Sequence, residues 1–131
     1  MENLKIRTAS LVAALQTLEE ALSLPFSVIV RDASILRFEY SFEACWKALK
    51  EYLKEREGVV CGSPKSCLRE AYQLRLLTEA ETEEALKMVD ARHLTAHTYV
   101  EAVAQSIFEK LPGYLRIMHL LAQAIRENAK L

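Results

Sequence analysis

The chain has 131 residues, 51% of them hydrophobic and 27% charged, with a formal net charge of −1 and a pI near 6.3. That length predicts one domain spanning 1–131, and the composition excludes a disordered chain. Near-neutral charge excludes a general polyanion binder, so any nucleic acid has to be met by a local group of residues.

The opening segment, MENLKIRTAS, has no apolar core of a secretory signal, and no stretch approaches the roughly 18 uninterrupted apolar residues of a membrane span. Leu4, Leu11, Leu15, Leu18 and Leu22 then recur at spacings of seven, four, three and four. That stripe predicts an amphipathic helix over about residues 3–23, ended by Pro25. Asp32 is the expected N-cap of a second helix, because its carboxylate can accept the unpaired amides of a first turn. This helix is expected to reach Arg56 with Ile35, Phe38, Phe42, Cys45, Trp46, Leu49 and Leu53 on its buried face. Arg31 and Arg37 read as a solvated helix start with local salt bridges. Tyr40 and Tyr52 are rings that can stack on a base, although nothing in the sequence singles them out.

The stretch EGVVCGSPKS is a linker, in which Ser63-Pro64 reads as an N-cap followed by a first-turn proline. A short third helix carries Leu68, Ala71 and Leu74. Thr78 with Glu81 three residues on predicts a capping box that opens a fourth helix containing Ala85, Met88 and Val89. The last helix is expected to begin near the histidines and run to about Asn128, striped by Val100, Val103, Ile107, Leu111, Leu115, Met118 and Ala122. Pro112-Gly113 should bend it, and His119 reads as a satisfied histidine inside the bundle. Nothing alternates with period two, so the fold class is all-α, an antiparallel bundle of four or five helices. Cys45, Cys61 and Cys67 are odd in number and lack C-x-x-C spacing. They predict reduced thiols, no metal cluster and a cytoplasmic location.

The segment that looks least like packing is RHLTAHTY, Arg92 to Tyr99. Arginine offers a planar fork of donors suited to phosphate, and histidine exchanges protons near neutral pH. Five residues apart on a continuous helix, Arg92 and His97 would diverge by about 140° of arc. They can converge if a helix starts between them, with Thr95 or Thr98 near its cap, or if two copies of the segment face each other across a two-fold axis. His93 and Asp90 lie close enough in sequence to be accessory groups. A zinc site on His93, His97 and Asp90 lacks a third strong ligand, so no metal is expected. The plain alternative for Arg92 and His97 is a surface ion network around Asp90, and for Tyr99 a packed ring with a wet hydroxyl.

The motif Arg-x4-His-x-Tyr, carried here by Arg92, His97 and Tyr99, resembles that of the HEPN superfamily in its HepT branch, also described as nucleotidyltransferase substrate-binding proteins. RDASILRFEYSFEACWKALKEYL, SPKSCLREAYQLRLL and ARHLTAHTYVEAVAQSIFEKLPGYL resemble the same branch, extending the likeness over about residues 4–125. His93 stands where close relatives often carry asparagine, and the segment before the motif lacks their usual tryptophan. The resemblance implies a helical bundle that forms a homodimer with both motifs near one interface. It also implies a toxin acting as a metal-independent endoribonuclease on RNA, not DNA, with no cofactor. Arg92 and His97 would be catalytic. An MntA-like nucleotidyltransferase antitoxin would transfer AMP to Tyr99. The alternative within the same family is a non-catalytic substrate-binding subunit of a two-component nucleotidyltransferase.

Overall fold

The computed structural model describes residues 2–131. Among them the chain forms five α-helices and no strand: α1 (Glu2–Leu22), α2 (Val28–Glu57), α3 (Pro64–Gln73), α4 (Glu79–Leu94) and α5 (Glu101–Ala129), with a 3₁₀ turn over Thr95–His97 between the last two. No helix is long and apolar enough to cross a membrane.

Leu4, Leu11, Leu15 and Leu18 are fully buried, as the α1 stripe requires. Each such leucine contributes about 1.5–3 kcal/mol of burial free energy. Opposite them, α2 supplies Ile35, Phe38, Phe42, Cys45, Leu49 and Leu53. Trp46, expected among these, is only half buried and sits at the margin of the core. The Phe38 ring stacks on Tyr114 of α5 at 5.7 Å and tilts against Phe42 at 6.3 Å, joining α2 to α5.

Links and cross-helix contacts give the directions. The links α1–α2, α3–α4 and α4–α5 are short and each pair packs side by side, so each runs antiparallel. Arg37 donates to the Thr17 carbonyl at 2.6 Å across the first pair, and Lys65–Asp90 and Arg116–Glu84, both at 2.8 Å, bridge the other two. The α2–α5 pair is parallel: Arg31 meets Glu101, Phe38 meets Tyr114, and Arg56 meets the Ala129 carbonyl in the same order along both helices.

The helix ends explain where prediction and structure part. Ser63 with Pro64, and Thr78 with Glu81, cap α3 and α4 as their sequences require; the Thr78 amide reaches Glu81 at 2.8 Å and the Glu81 amide reaches Thr78 Oγ1 at 3.2 Å. The N-cap of α2 is Ser27 and not Asp32, since Ser27 Oγ accepts from the Val30 amide at 3.0 Å and starts the helix at Val28. Asp32 lies inside the helix and pairs with Arg31 at 3.1 Å. Gly58 closes α2 at φ +68°, a left-handed conformation that costs glycine least. The last helix starts later than expected, at Glu101, because the chain first tightens into the 3₁₀ turn; Val100 is its exposed N-cap and not part of a buried stripe. It runs unbroken through Pro112. His119 is exposed rather than enclosed.

The thiol expectation is overturned. Cys61 and Cys67 form a disulfide, with Cα atoms 5.2 Å apart, and only Cys45 is free. The spacing carries no signal because the turn into α3, not a C-x-x-C motif, brings these two together within bridging range. Burial pushes the Cys45 thiol up to about 12, so it is inert as a nucleophile.

Candidate functional site

The segment from Arg92 to Tyr99 spans the last turn of α4, the 3₁₀ turn and the two residues that follow it. Thr95 is its joint. The Thr95 hydroxyl donates to the Arg92 carbonyl at 2.6 Å and accepts from Arg92 Nη1 at 2.9 Å, so one side chain ends α4 and holds the guanidinium. Thr95 is buried, which shields both bonds. Arg92 Nε lies 3.7 Å from Glu43 Oε1 on α2, and the other oxygen of Glu43 accepts from Trp46 Nε1 at 3.1 Å. That separation is too long for a hydrogen bond, and Arg92 Nε is buried without one.

His97 and Tyr99 point to solvent. Tyr99 is 81% exposed, its hydroxyl is 3.3 Å from His97 Nδ1, and the two rings meet edge to face at 5.9 Å. The structure thus joins Arg92 to Thr95 and His97 to Tyr99, one pair on each side of the 3₁₀ turn. No hydrogen bond or ion pair links Arg92 to His97 among the described residues. Arg92 belongs to α4 itself and not to the turn.

The accessory candidates separate from this pair. Asp90 is committed to Lys65, whose hydrogen bond and charge hold its carboxyl below the usual range, with a smaller contribution from His93. His93 is exposed on α4. An ion network does surround the motif, but its partners are Asp90–Lys65 and Arg92–Glu43 rather than Asp90 with Arg92 or His97. Among the described residues no group of three or more histidine, cysteine, aspartate or glutamate side chains is placed to hold a metal ion.

Sequence reasoning missed the residues that fix the far end of the segment. Arg31, expected in solvent, is 3% exposed. It donates to both oxygens of Glu101, at 2.8 and 2.9 Å, and to Asp32 at 3.1 Å. Such a bidentate pair is geometrically specific. It raises the guanidinium above its usual range and holds the Glu101 carboxyl below its own. Glu101 is the first residue of α5 and lies two past Tyr99, where a carboxylate also complements the positive end of the helix dipole. With no side chain capping α5, the Arg31–Glu101 clamp is what ties its start to α2. Only partner identity would have revealed this, since an Arg-Asp dipeptide at a helix start is usually solvated.

Among the described residues three grooves lie near the motif. A small, mostly apolar one of about 200 Å³ lies between the end of α4 and the start of α5, lined by Ala91, Leu94 and Val103. A larger one lies between α4 and α5, with a volume of about 680 Å³ and a wall that includes Asp90, Ala91, Leu94 and Tyr114; burial raises the Tyr114 phenol, and the Glu84 and Asp90 carboxylates add to it. The third, about 440 Å³, lies between α1 and α2 and includes Glu43.

The chain belongs to the nucleotidyltransferase substrate binding protein-like family, whose pattern it matches over residues 6–127. Among solved structures it is similar to a protein of Thermus thermophilus, at 48% identity over 88% of this chain and 98% of that one, with a TM-score of 0.86. It is also similar in fold to HI0074 of Haemophilus influenzae, described as the substrate binding domain of a nucleotidyltransferase, at 20% identity over 91% and 98% of the two chains and a TM-score of 0.76. The tri-AMPylated HEPN toxin of Shewanella oneidensis, in complex with its MNT antitoxin, shares the fold at 16% identity over 95% and 96%, with a TM-score of 0.76. No curated protein matches the chain.

Proposed function

We propose that this chain is the toxin of a HepT/MntA-type pair, a dimeric, metal-independent endoribonuclease that a nucleotidyltransferase silences by placing AMP on Tyr99. The observation that carries the reading is the division of labour at the 3₁₀ turn. Thr95 holds the Arg92 guanidinium on one side, and His97 with Tyr99 stands free in solvent on the other. In RNA cleavage the imidazole of one histidine takes the proton of a 2′-hydroxyl, whose oxygen attacks the adjacent phosphorus. The bond to the 5′-oxygen breaks, and a second proton donor, His97 of the other copy, protonates it. A 2′,3′-cyclic phosphate and a 5′-hydroxyl result. Arg92 faces the charge that grows on the phosphoryl oxygens, a role whose loss typically costs about 10²–10³ in rate. In this reading two copies act together, each supplying one of the two histidines.

The exposure of Tyr99 suits the silencing step. Its oxygen attacks the α-phosphorus of ATP, pyrophosphate leaves, and the phenolic proton passes to a base, for which His97 Nδ1 is placed at 3.3 Å. The AMP then occupies the space beside the histidine.

A second reading, a non-catalytic substrate-binding subunit, is favoured by one observation: within a single chain Arg92 is turned toward Glu43 rather than toward His97. Incubating wild type and His97→Ala with total RNA in EDTA decides between them. The toxin reading expects degradation by wild type alone. Equal, intact RNA in both refutes it and leaves the binding subunit.

A further inference from the structure

Charge separates the larger α4–α5 groove from the α1–α2 groove. The α4–α5 groove is lined by Glu83, Glu84, Asp90 and Glu109 against Lys87 and Lys110. Its outlying cations, Lys65 and Arg116, are spent at 2.8 Å on Asp90 and Glu84. Even with those two counted, four carboxylates meet four cations and no positive surplus remains. A polyanion gains nothing there.

The α1–α2 groove is different. Arg7 and Lys47 line it, both exposed, and neither is in an ion pair among the described residues. Among the described residues its one carboxylate is Glu43, which also faces Arg92 at 3.7 Å. Among the same residues, the lining cations Arg7 and Lys47, with the neighbouring Arg92, meet one carboxylate and leave two positive charges. Glu43 therefore makes the groove continuous with the motif arginine. On α2 the lining residues Tyr40, Glu43, Ala44 and Lys47 fall at i, i+3, i+4 and i+7, and α1 presents Asn3, Ile6, Arg7 and Ser10 at the same spacing. Two helical faces thus form walls about 10 Å long. Tyr40 is 41% exposed, and its hydroxyl is bonded to Thr17 Oγ1, so the ring is tethered at the wall and available for stacking. Tyr52, the other tyrosine of this helix, is 1% exposed with its hydroxyl on Glu57, and can stack on nothing outside the fold.

We propose that the α1–α2 groove is the subsite for the single RNA strand that runs on from the scissile phosphate, with Arg7 and Lys47 on backbone phosphates and Tyr40 under a base. The proposal rests on the ribonuclease reading but is tested apart from it. Phosphate contacts from arginine and lysine give affinity without sequence choice, and an aromatic ring accepts any base. The strand binds on a chain of net charge −1 because the surplus is local.

The test uses a short fluorescein-labelled RNA with 2′-O-methyl riboses, which cannot be cleaved, titrated by fluorescence anisotropy across a range of salt. His97→Ala is the background. Arg7→Gln and Lys47→Gln should each weaken binding about threefold to tenfold, and together should flatten the salt dependence by about 1.4 in slope, two phosphate contacts on a single strand. Tyr40→Ala should weaken binding without changing the slope. Lys87→Gln with Lys110→Gln should leave affinity and slope unchanged. Three results overturn the proposal: no binding by the His97→Ala protein, an Arg7/Lys47 double variant that binds with wild-type affinity and slope, or loss of binding in the Lys87/Lys110 variant instead. If wild type leaves RNA intact while the Arg7 and Lys47 variants still lose affinity, the ribonuclease reading fails and the groove stands as a single-strand RNA site with no scissile phosphate.

Discussion

Replacing Thr95 with valine tests whether the motif is held as described. Valine keeps the branched shape but removes the hydroxyl that donates to the Arg92 carbonyl and accepts from its guanidinium. The first bond, neutral and buried, contributes about 1 kcal/mol, and its loss strands a carbonyl. The second is charge-assisted, but the Arg92 side chain is 30% exposed and water replaces part of it, leaving about 1 kcal/mol more. The total is about 2 kcal/mol. With an unfolding entropy of about 2.1 cal/mol/K per residue over 131 residues, that lowers Tm by about 7 °C. Calorimetry or circular dichroism melting reads it. Thr95→Ser, which keeps the oxygen, should melt close to wild type. Under the ribonuclease reading Thr95→Val also loses about tenfold to a hundredfold in cleavage, because a guanidinium released from its partner is misplaced by about an ångström. A Thr95→Val protein melting within about 2 °C of wild type, with unchanged cleavage, would refute the idea that Thr95 is the joint of the site.

Three further outcomes follow from other contacts. Arg31 holds the Glu101 carboxyl below its usual range, so the clamp stabilises the fold above the ordinary glutamate pKa of about 4.3 and is lost as pH falls through the depressed value. Urea unfolding of wild type and Glu101→Gln should therefore differ at pH 7 and converge in strong acid; a constant difference would exclude the clamp. Cys61→Ser with Cys67→Ser opens a crosslink of sequence separation 6, which the loop-entropy relation values at about 2 kcal/mol. Thiol titration of the unreduced, denatured chain should find one free cysteine rising to three with reductant, and finding three at the outset would refute the bond. A Cβ on Gly113 would lie 2.5 Å from Glu84 Oε2, the far end of a movable side chain. In a Glu84→Ala background Gly113→Ala should therefore raise stability by about 1 kcal/mol, the helix-propensity gain, and a loss measured by urea unfolding would show a tighter backbone approach.

The helices are legible in the sequence because their signals are local. The α1 leucines sit where a single buried stripe puts them, and the Ser63-Pro64 and Thr78–Glu81 caps act within one turn. The motif is legible as three residues of suitable chemistry, but its geometry is not. Whether Arg92 meets His97 depends on the 3₁₀ turn and on Glu43, 49 positions earlier in the chain. Asp32 and Ser27 both carry the right oxygen for a cap, and what separates them is that the helix begins at Val28, which puts Ser27 at its end and Asp32 inside it. Arg31 and Glu101 lie 70 positions apart and join only through the parallel pairing of α2 with α5, which no periodicity announces. The Cys61–Cys67 bond, across only six positions, is hidden because it depends on the path of the turn into α3 and not on a motif spacing.

The helices do not share the packing equally. The first, second and fifth interlock along most of their lengths, whereas the third and fourth rest on that trio more lightly, with the Cys61–Cys67 crosslink and the Lys65–Asp90 pair both at the end of their hairpin where α3 begins and α4 closes. Segments with fewer buried contacts open more often, and they do so as units. Amide protons of the α3–α4 hairpin should accordingly exchange sooner than those of the trio. The guanidinium of the motif thus rides on the more yielding half of the molecule while the α1–α2 groove belongs to the rigid half, so transient breathing would change their separation without unfolding either.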